Sequence, residues 1–175
     1  MRRRHATLAL ACGLVWLSGI LAGGCGYSLR SSLPAHIKTI HVPVLENRTQ
    51  EPAIESFVTQ ALTEAVVTSG RARIAANASE DDAVLEGAII EYSLTSLAFD
   101  RAANVTQYRL TIALSLTLKD RVKNEVIWRQ ERVQDRADFR VAGPVTVTLA
   151  REDAALRRAA VDVSRAIVSL AFEGF

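Results

Sequence analysis

The clearest periodicity in the chain runs from Tyr108 to Leu118, where Tyr108, Leu110, Ile112, Leu114, Leu116 and Leu118 alternate with Arg109, Thr111, Ser115 and Thr117. A period of two sets the apolar residues on one side of a β-strand, so this stretch predicts a strand with one buried and one largely polar face. Val84 to Phe99 reads as a long strand that pairs with it, and Gly87 marks a bulge or the close approach of another element. Lys119-Asp120-Arg121 starts a turn into a third strand over Glu125 to Val133, which completes an antiparallel meander. Earlier in the chain, Ile37 to Leu45 predicts a strand, and Pro43 argues for an edge or terminal position. Asn47-Arg48-Thr49 is the turn out of it. Ala72 to Ala76 predicts a minor strand before the polar run Asn77 to Asp82.

The period changes twice to that of a helix. From Pro52 onward, Ile54, Phe57, Val58, Ala61, Leu62 and Ala65 share one stripe, Glu51 and Pro52 suit the first turn, and Ser69-Gly70 suits the stop. Near the C-terminus a helix is predicted to start at Glu152 and Asp153, whose charges favour a helix N-terminus. Its stripe is Leu156, Ala160, Val163, Ile167 and Leu170, opposite Arg157, Arg158, Asp162 and Arg165. Arg136 to Leu149, with Gly143-Pro144 in its middle, fits either a loop or an extended, lid-like segment. The predicted fold class is α+β, with two helices packed against one face of a four-stranded, mostly antiparallel sheet.

The first residues change the picture of where this domain works. Arg2, Arg3 and Arg4 precede an apolar stretch from Ala6 to Trp16, long enough for a secretory signal and short for a membrane span. Leu21-Ala22-Gly23-Gly24-Cys25 resembles a bacterial lipobox, in which the cysteine is acylated and becomes the first residue. An ordinary secretory signal cut near Gly24 and an uncleaved anchor are the alternatives. Of the two cysteines, Cys12 lies in the removable segment, which leaves Cys25 as a lone thiol unless acylation consumes it. Residues 1–24 are therefore expected to be a signal peptide, residues 25–36 a lipidated tether, and residues 37–175 a single periplasmic domain. More than one acyl chain, at about 0.8 kcal/mol per buried methylene, would anchor it stably. Gly26 after the cysteine resembles lipoproteins sorted to the outer membrane, on its periplasmic face.

Charge excludes further classes. The chain carries 21 Lys and Arg against 19 Asp and Glu, and the leader takes three arginines and no carboxylate, so the mature domain is nearly neutral. Neither that balance nor the sparse aromatics suit a nucleic-acid partner. His36 and His41 lie an odd number of residues apart, on opposite faces if both belong to the first strand, and form neither a metal pair nor a catalytic dyad. Glu80-Asp81-Asp82 lacks the alternating ligand pattern of a calcium loop and reads as a solvated turn. No nucleophile, phosphate-loop or dinucleotide motif occurs, so no catalytic residue, metal or cofactor is expected. The arginines read mostly as a solvated face, with the option of a local patch that grips phosphorylated lipid headgroups.

Several runs in order, Cys25-Gly26-Tyr27-Ser28-Leu29-Arg30, Ile40 to Thr49, Glu55, Asp82 to Ile89, Tyr108-Arg109-Leu110 and Arg151 to Leu156, resemble the lipopolysaccharide-assembly lipoprotein family. The resemblance spans the mature chain. It implies a non-enzymatic outer-membrane lipoprotein that plugs, and helps assemble, the large β-barrel translocon delivering lipopolysaccharide to the cell surface. It also implies direct contact with lipopolysaccharide, through Arg101 in the loop after Phe99 and Arg151 at the start of the last helix. The exposed face of the Tyr108–Leu118 strand and its turns is the candidate barrel interface. Two alternatives remain at this point: a lipoprotein of another secretion or transport assembly, and a lipid-anchored periplasmic hydrolase.

Overall fold

The computed structural model describes residues 33–75, 81–141 and 143–172, all within one compact unit, Ser31–Phe175. The expected signal peptide, Cys25 and most of the tether lie outside the described residues.

Three long strands form the body of the sheet. β4 (Ala83–Phe99), β5 (Val105–Asp120) and β6 (Glu125–Arg140) run antiparallel, with Leu114 of β5 opposite Ile89 of β4 and Val133 of β6. Three short strands precede them: β1 (Thr39–His41), β2 (Glu46–Asn47) and β3 (Arg73–Ile74). The sheet is therefore six-stranded and mixed, in the order β3-β1-β4-β5-β6 with β2 also on β4, rather than four-stranded and mostly antiparallel. The correction has a topological cause. β1 and β3 are joined through helix α1 (Ile54–Ser69), and such a crossover returns the chain parallel to where it left. β1 and β2 also pair with β4 in parallel. The single strand expected over Ile37 to Leu45 is interrupted at Val42–Leu45, around a proline that cannot donate to a ladder.

The β5 alternation holds along its length: Leu110, Ile112, Leu114, Leu116 and Leu118 are fully or almost fully buried. They share one core with Val58, Leu62 and Val66 of α1 and Leu156, Val163 and Ile167 of the second helix. That helix, α2 (Val145–Phe172), lies on β5 and β6, and α1 lies beside it. The Arg157 guanidinium sits 4.4 Å from the Phe57 ring centroid, and further along Ala61, Ala65 and Thr68 line a groove with Val161, Arg165 and Val168. Successive turns meet in the same order, so the helices run side by side in one direction.

Other boundaries also differ from the sequence reading: α1 starts at Ile54, after Ala53 in a left-handed conformation, so Glu51 and Pro52 precede its first turn rather than form it. Arg136 to Leu149 is neither a loop nor a lid: Arg136–Arg140 continues β6, and Val145–Leu149 is the first part of α2. The helix thus starts at Val145, seven residues before Glu152, and the carbonyl of the preceding Pro144 accepts the amides of Val147 and Thr148. Gly87 marks a close approach, as one branch of the expectation held. A Cβ there would lie 2.0 Å from the Ser115 carbonyl oxygen, so only glycine lets β4 and β5 meet at this point.

Candidate functional site

One end of the sheet gathers exposed arginines and exposed apolar side chains. The β4–β5 hairpin closes over Asp100–Asn104, where the Asp100 carboxylate accepts the amides of Ala102 at 2.7 Å and Asn104 at 2.9 Å, and the Asn104 side-chain amide at 3.0 Å. The Asn104 side chain and then its amide are the chief causes that hold Asp100 below the usual carboxylate range. Ala103 completes the turn with a left-handed φ of 64°. Arg101 is held exposed at the apex of this built turn.

Arg151 lies at the same end but not at the start of its helix, correcting the sequence expectation. It sits in the second turn of α2, exposed, and one guanidinium N–H donates to the carbonyl of Arg140 at 3.0 Å. Arg140 is the last residue of β6 and pairs with Gln107 near the start of β5. Next along the helix, Glu152 accepts the Tyr92 hydroxyl at 2.7 Å, fastening α2 to β4. Burial first, and then Glu152, push the Tyr92 hydroxyl far above its ordinary value, so it stays a donor at any physiological pH. The structure therefore brings Arg101, Arg140 and Arg151 to one end of the sheet. The sequence pattern did not single out Arg140.

Beside these cations the chain leaves apolar side chains in solvent. Phe99 is 60% exposed, Leu94 40% and Leu97 38%, all on β4, and Val145, Val147 and Leu149 of α2 are also exposed. The signal that could have found this was the uncharged run Tyr92 to Phe99, whose leucines fall out of step with the alternation.

The opposite face of β5 is polar, as the alternation predicted, and is roofed by ion pairs between strands. Arg109 donates twice to Asp138, at 2.7 and 2.9 Å. Arg132 of β6 reaches Glu91 of β4 across Ala113 of β5, which is fully buried, and Lys119 pairs with Glu86. The Arg132 hydrogen bond, helped by Ser93, holds Glu91 below its usual range. A polar hollow between Glu46, Arg48, Glu86, Ser115 and Thr117 borders this face.

At the other end of the sheet, His36 is neither on β1 nor idle: its Nε2 lies 2.6 Å from Asp120, the last residue of β5. His41 sits on β1, partly buried. Asp81 and Asp82 are structural as well. Asp81 faces Arg121 at 3.3 Å, and Asp82 accepts the amides of Lys38 and Thr39. Among the described residues no cluster of three His, Cys, Asp or Glu is placed to hold a metal ion, and no helix is long and apolar enough to cross a membrane.

A family model described as "LptE: Lipopolysaccharide-assembly" matches residues 37–170. No curated protein matches the chain significantly. Among solved structures, an uncharacterized lipoprotein B from Nitrosomonas europaea is 14% identical, covering 84% of this chain and 90% of its own, with a TM-score of 0.57. A putative lipoprotein from Caulobacter crescentus is 15% identical over 73% of this chain and 83% of its own, with a TM-score of 0.51. The PelC dodecamer from Paraburkholderia phytofirmans is 16% identical over 79% and 92%, respectively, also at 0.51. At these identities the likeness is one of fold.

Proposed function

We propose, from the premise that this chain belongs to the LptE lipopolysaccharide-assembly family, that it is an outer-membrane lipoprotein which occupies and helps assemble a β-barrel translocon and touches lipopolysaccharide as it passes. The family is one of non-enzymatic lipoproteins, and the role needs no bond to be made or broken. Acylation at Cys25 holds the domain at the periplasmic face of the membrane, and the folded body fills the barrel lumen.

The observation that supports the lipopolysaccharide contact is the shared location of Arg101 and Arg151, at one end of the sheet, with exposed Leu94, Leu97 and Phe99. Arginine forks match phosphate bidentately, and exposed aliphatic and aromatic side chains match acyl chains, so this end suits a phosphorylated, acylated glycolipid. Arg101 stands on a turn fixed by Asp100, and four N–H groups of Arg151 remain beyond the one given to Arg140. Neither must reorganise the sheet to engage a ligand.

Retention on immobilised lipopolysaccharide tests this directly. The double variant Arg101→Ala, Arg151→Ala is expected to lose roughly tenfold in affinity while keeping its far-UV circular dichroism. Retention equal to the wild type would overturn the contact. For the anchor, Cys25→Ala is expected to move the protein from the membrane to the soluble periplasmic fraction, and membrane retention by that variant would remove the proposed attachment.

A further inference from the structure

The ion pairs on the outer face of the sheet leave one row of cations over. Lys119 is matched by Glu86, Arg132 by Glu91 and Arg109 by Asp138. On the same face of β6, Arg129 stands opposite Thr117, Arg136 opposite Thr111 and Arg140 opposite Gln107. All three are exposed, and among the described residues no carboxylate lies within ion-pair distance of any of them. Arg129 donates only to the Thr117 hydroxyl, at 3.3 Å. Glu91, whose charge Arg136 feels, is already engaged by Arg132 and Ser93.

Resting on the reading that a β-barrel protein receives this domain, we propose that the outer face of β5 and β6 seats against a carboxylate-bearing wall of that protein, with Arg129, Arg136 and Arg140 as the contacts that read its charge. Spacing separates this from a lipid site. At about 3.3 Å per residue the row extends over roughly 35 Å, which suits carboxylates distributed along a wall rather than a single phosphate group. Surface chemistry points the same way. The one exposed large apolar residue along β5 and β6 is Val126, so these strands offer little to insert into a bilayer. Each arginine is also carried on a strand in fixed register beside a preformed ion pair, which favours a polar, oriented protein interface.

The test uses the full-length lipoprotein, isolated in mild detergent from its native membrane together with any outer-membrane β-barrel protein that co-purifies with it. The triple variant Arg129→Gln, Arg136→Gln, Arg140→Gln is expected to retain about tenfold less barrel than the wild type at physiological salt, and the triple lysine variant to retain most of it. Raising salt is expected to weaken the wild-type complex and to leave the glutamine variant's residual binding unchanged. A glutamine variant that melts like the wild type and retains as much barrel at every salt concentration overturns the proposed surface. A variant that keeps the barrel but loses binding to anionic phosphatidylglycerol vesicles overturns it in favour of lipid headgroups. If the wild type itself brings down no barrel, the failure is that of the underlying functional reading.

Discussion

Asp120 ends β5 with a side chain that solvent does not reach, yet it stays ionised. Burial opposes the charge most strongly, but the amides of Lys123 and Val122, each at 2.9 Å, together with His36, outweigh it and hold the carboxyl below its ordinary value. Asp82, bound by Lys38 and Thr39, is lowered in the same sense. A carboxyl lowered by folding contributes stability that is fully present above its unfolded value of about 3.9 and is lost as pH falls through the lower folded value. Thermal melting is therefore expected to be level between neutral pH and about pH 5, and to decline below about pH 4. Asp120→Asn is expected to melt lower at pH 7 and to show a shallower acid decline. An unaltered acid limb in that variant would show that Asp120 does not set it. Arg151 teaches a related lesson at this scale, because part of its fork holds the exit of β6, and its replacement is expected to loosen that turn as well as to weaken ligand binding.

Elements are limited by where their backbones can approach. Gly87→Ala places a methyl against the Ser115 carbonyl, and backbone cannot yield as a flexible side chain can. The expected cost is about 3 kcal/mol, measured by urea denaturation, with faster amide exchange in the neighbouring rungs of β4 and β5. Gly70 is different: its φ of 65° ends α1 in open space, so alanine there meets only backbone strain, about 1 kcal/mol. The start of α2 depends on the Tyr92–Glu152 bond. Tyr92→Phe is expected to cost about 1 kcal/mol, with increased amide exchange confined to the first two turns of the helix. Uniform exchange along α2 in that variant would show that the hydroxyl does not clamp it. The sequence misread this segment because Val145, Val147 and Leu149 alternate with threonines, as in a strand. Yet all three side chains are exposed, so the alternation was not a pattern of burial. Once a helix is nucleated, each added residue gains a hydrogen bond, and β-branched residues follow at small cost.

Over the whole molecule, one core joins both helices to the inner face of the long strands, and unfolding should be cooperative. Leu114→Ala, at the centre of β5, is expected to cost about 3 kcal/mol, with coincident transitions by circular dichroism and by the fluorescence of Trp128, which packs against the core from β6. Transitions that separate would show that α1 or the edge strands melt on their own. The two faces of the sheet then divide the work. The inner face is spent on stability, while the outer face and the hairpin end remain available to partners.

How much of this was legible follows from how local each cause is. The β5 alternation and the stripes of both helices depend on neighbours in sequence, and the chain alone determined them, whereas Gly87 stood out in the sequence as either a bulge or a close approach, and only the packed sheet, which sets it against the Ser115 carbonyl, decided between the two. Pairing direction depends on where a crossover returns, so the parallel attachment of β1, β2 and β3, each only two or three residues long, was left to the tertiary structure. The same holds for the approach of His36 to Asp120, 84 residues away, and for the meeting of Arg101, Arg140 and Arg151 at one end of the sheet. Patterning specifies which face a side chain takes; only the packed chain brings distant charges within reach, because their attraction is too weak and too short in range to act before the core has formed.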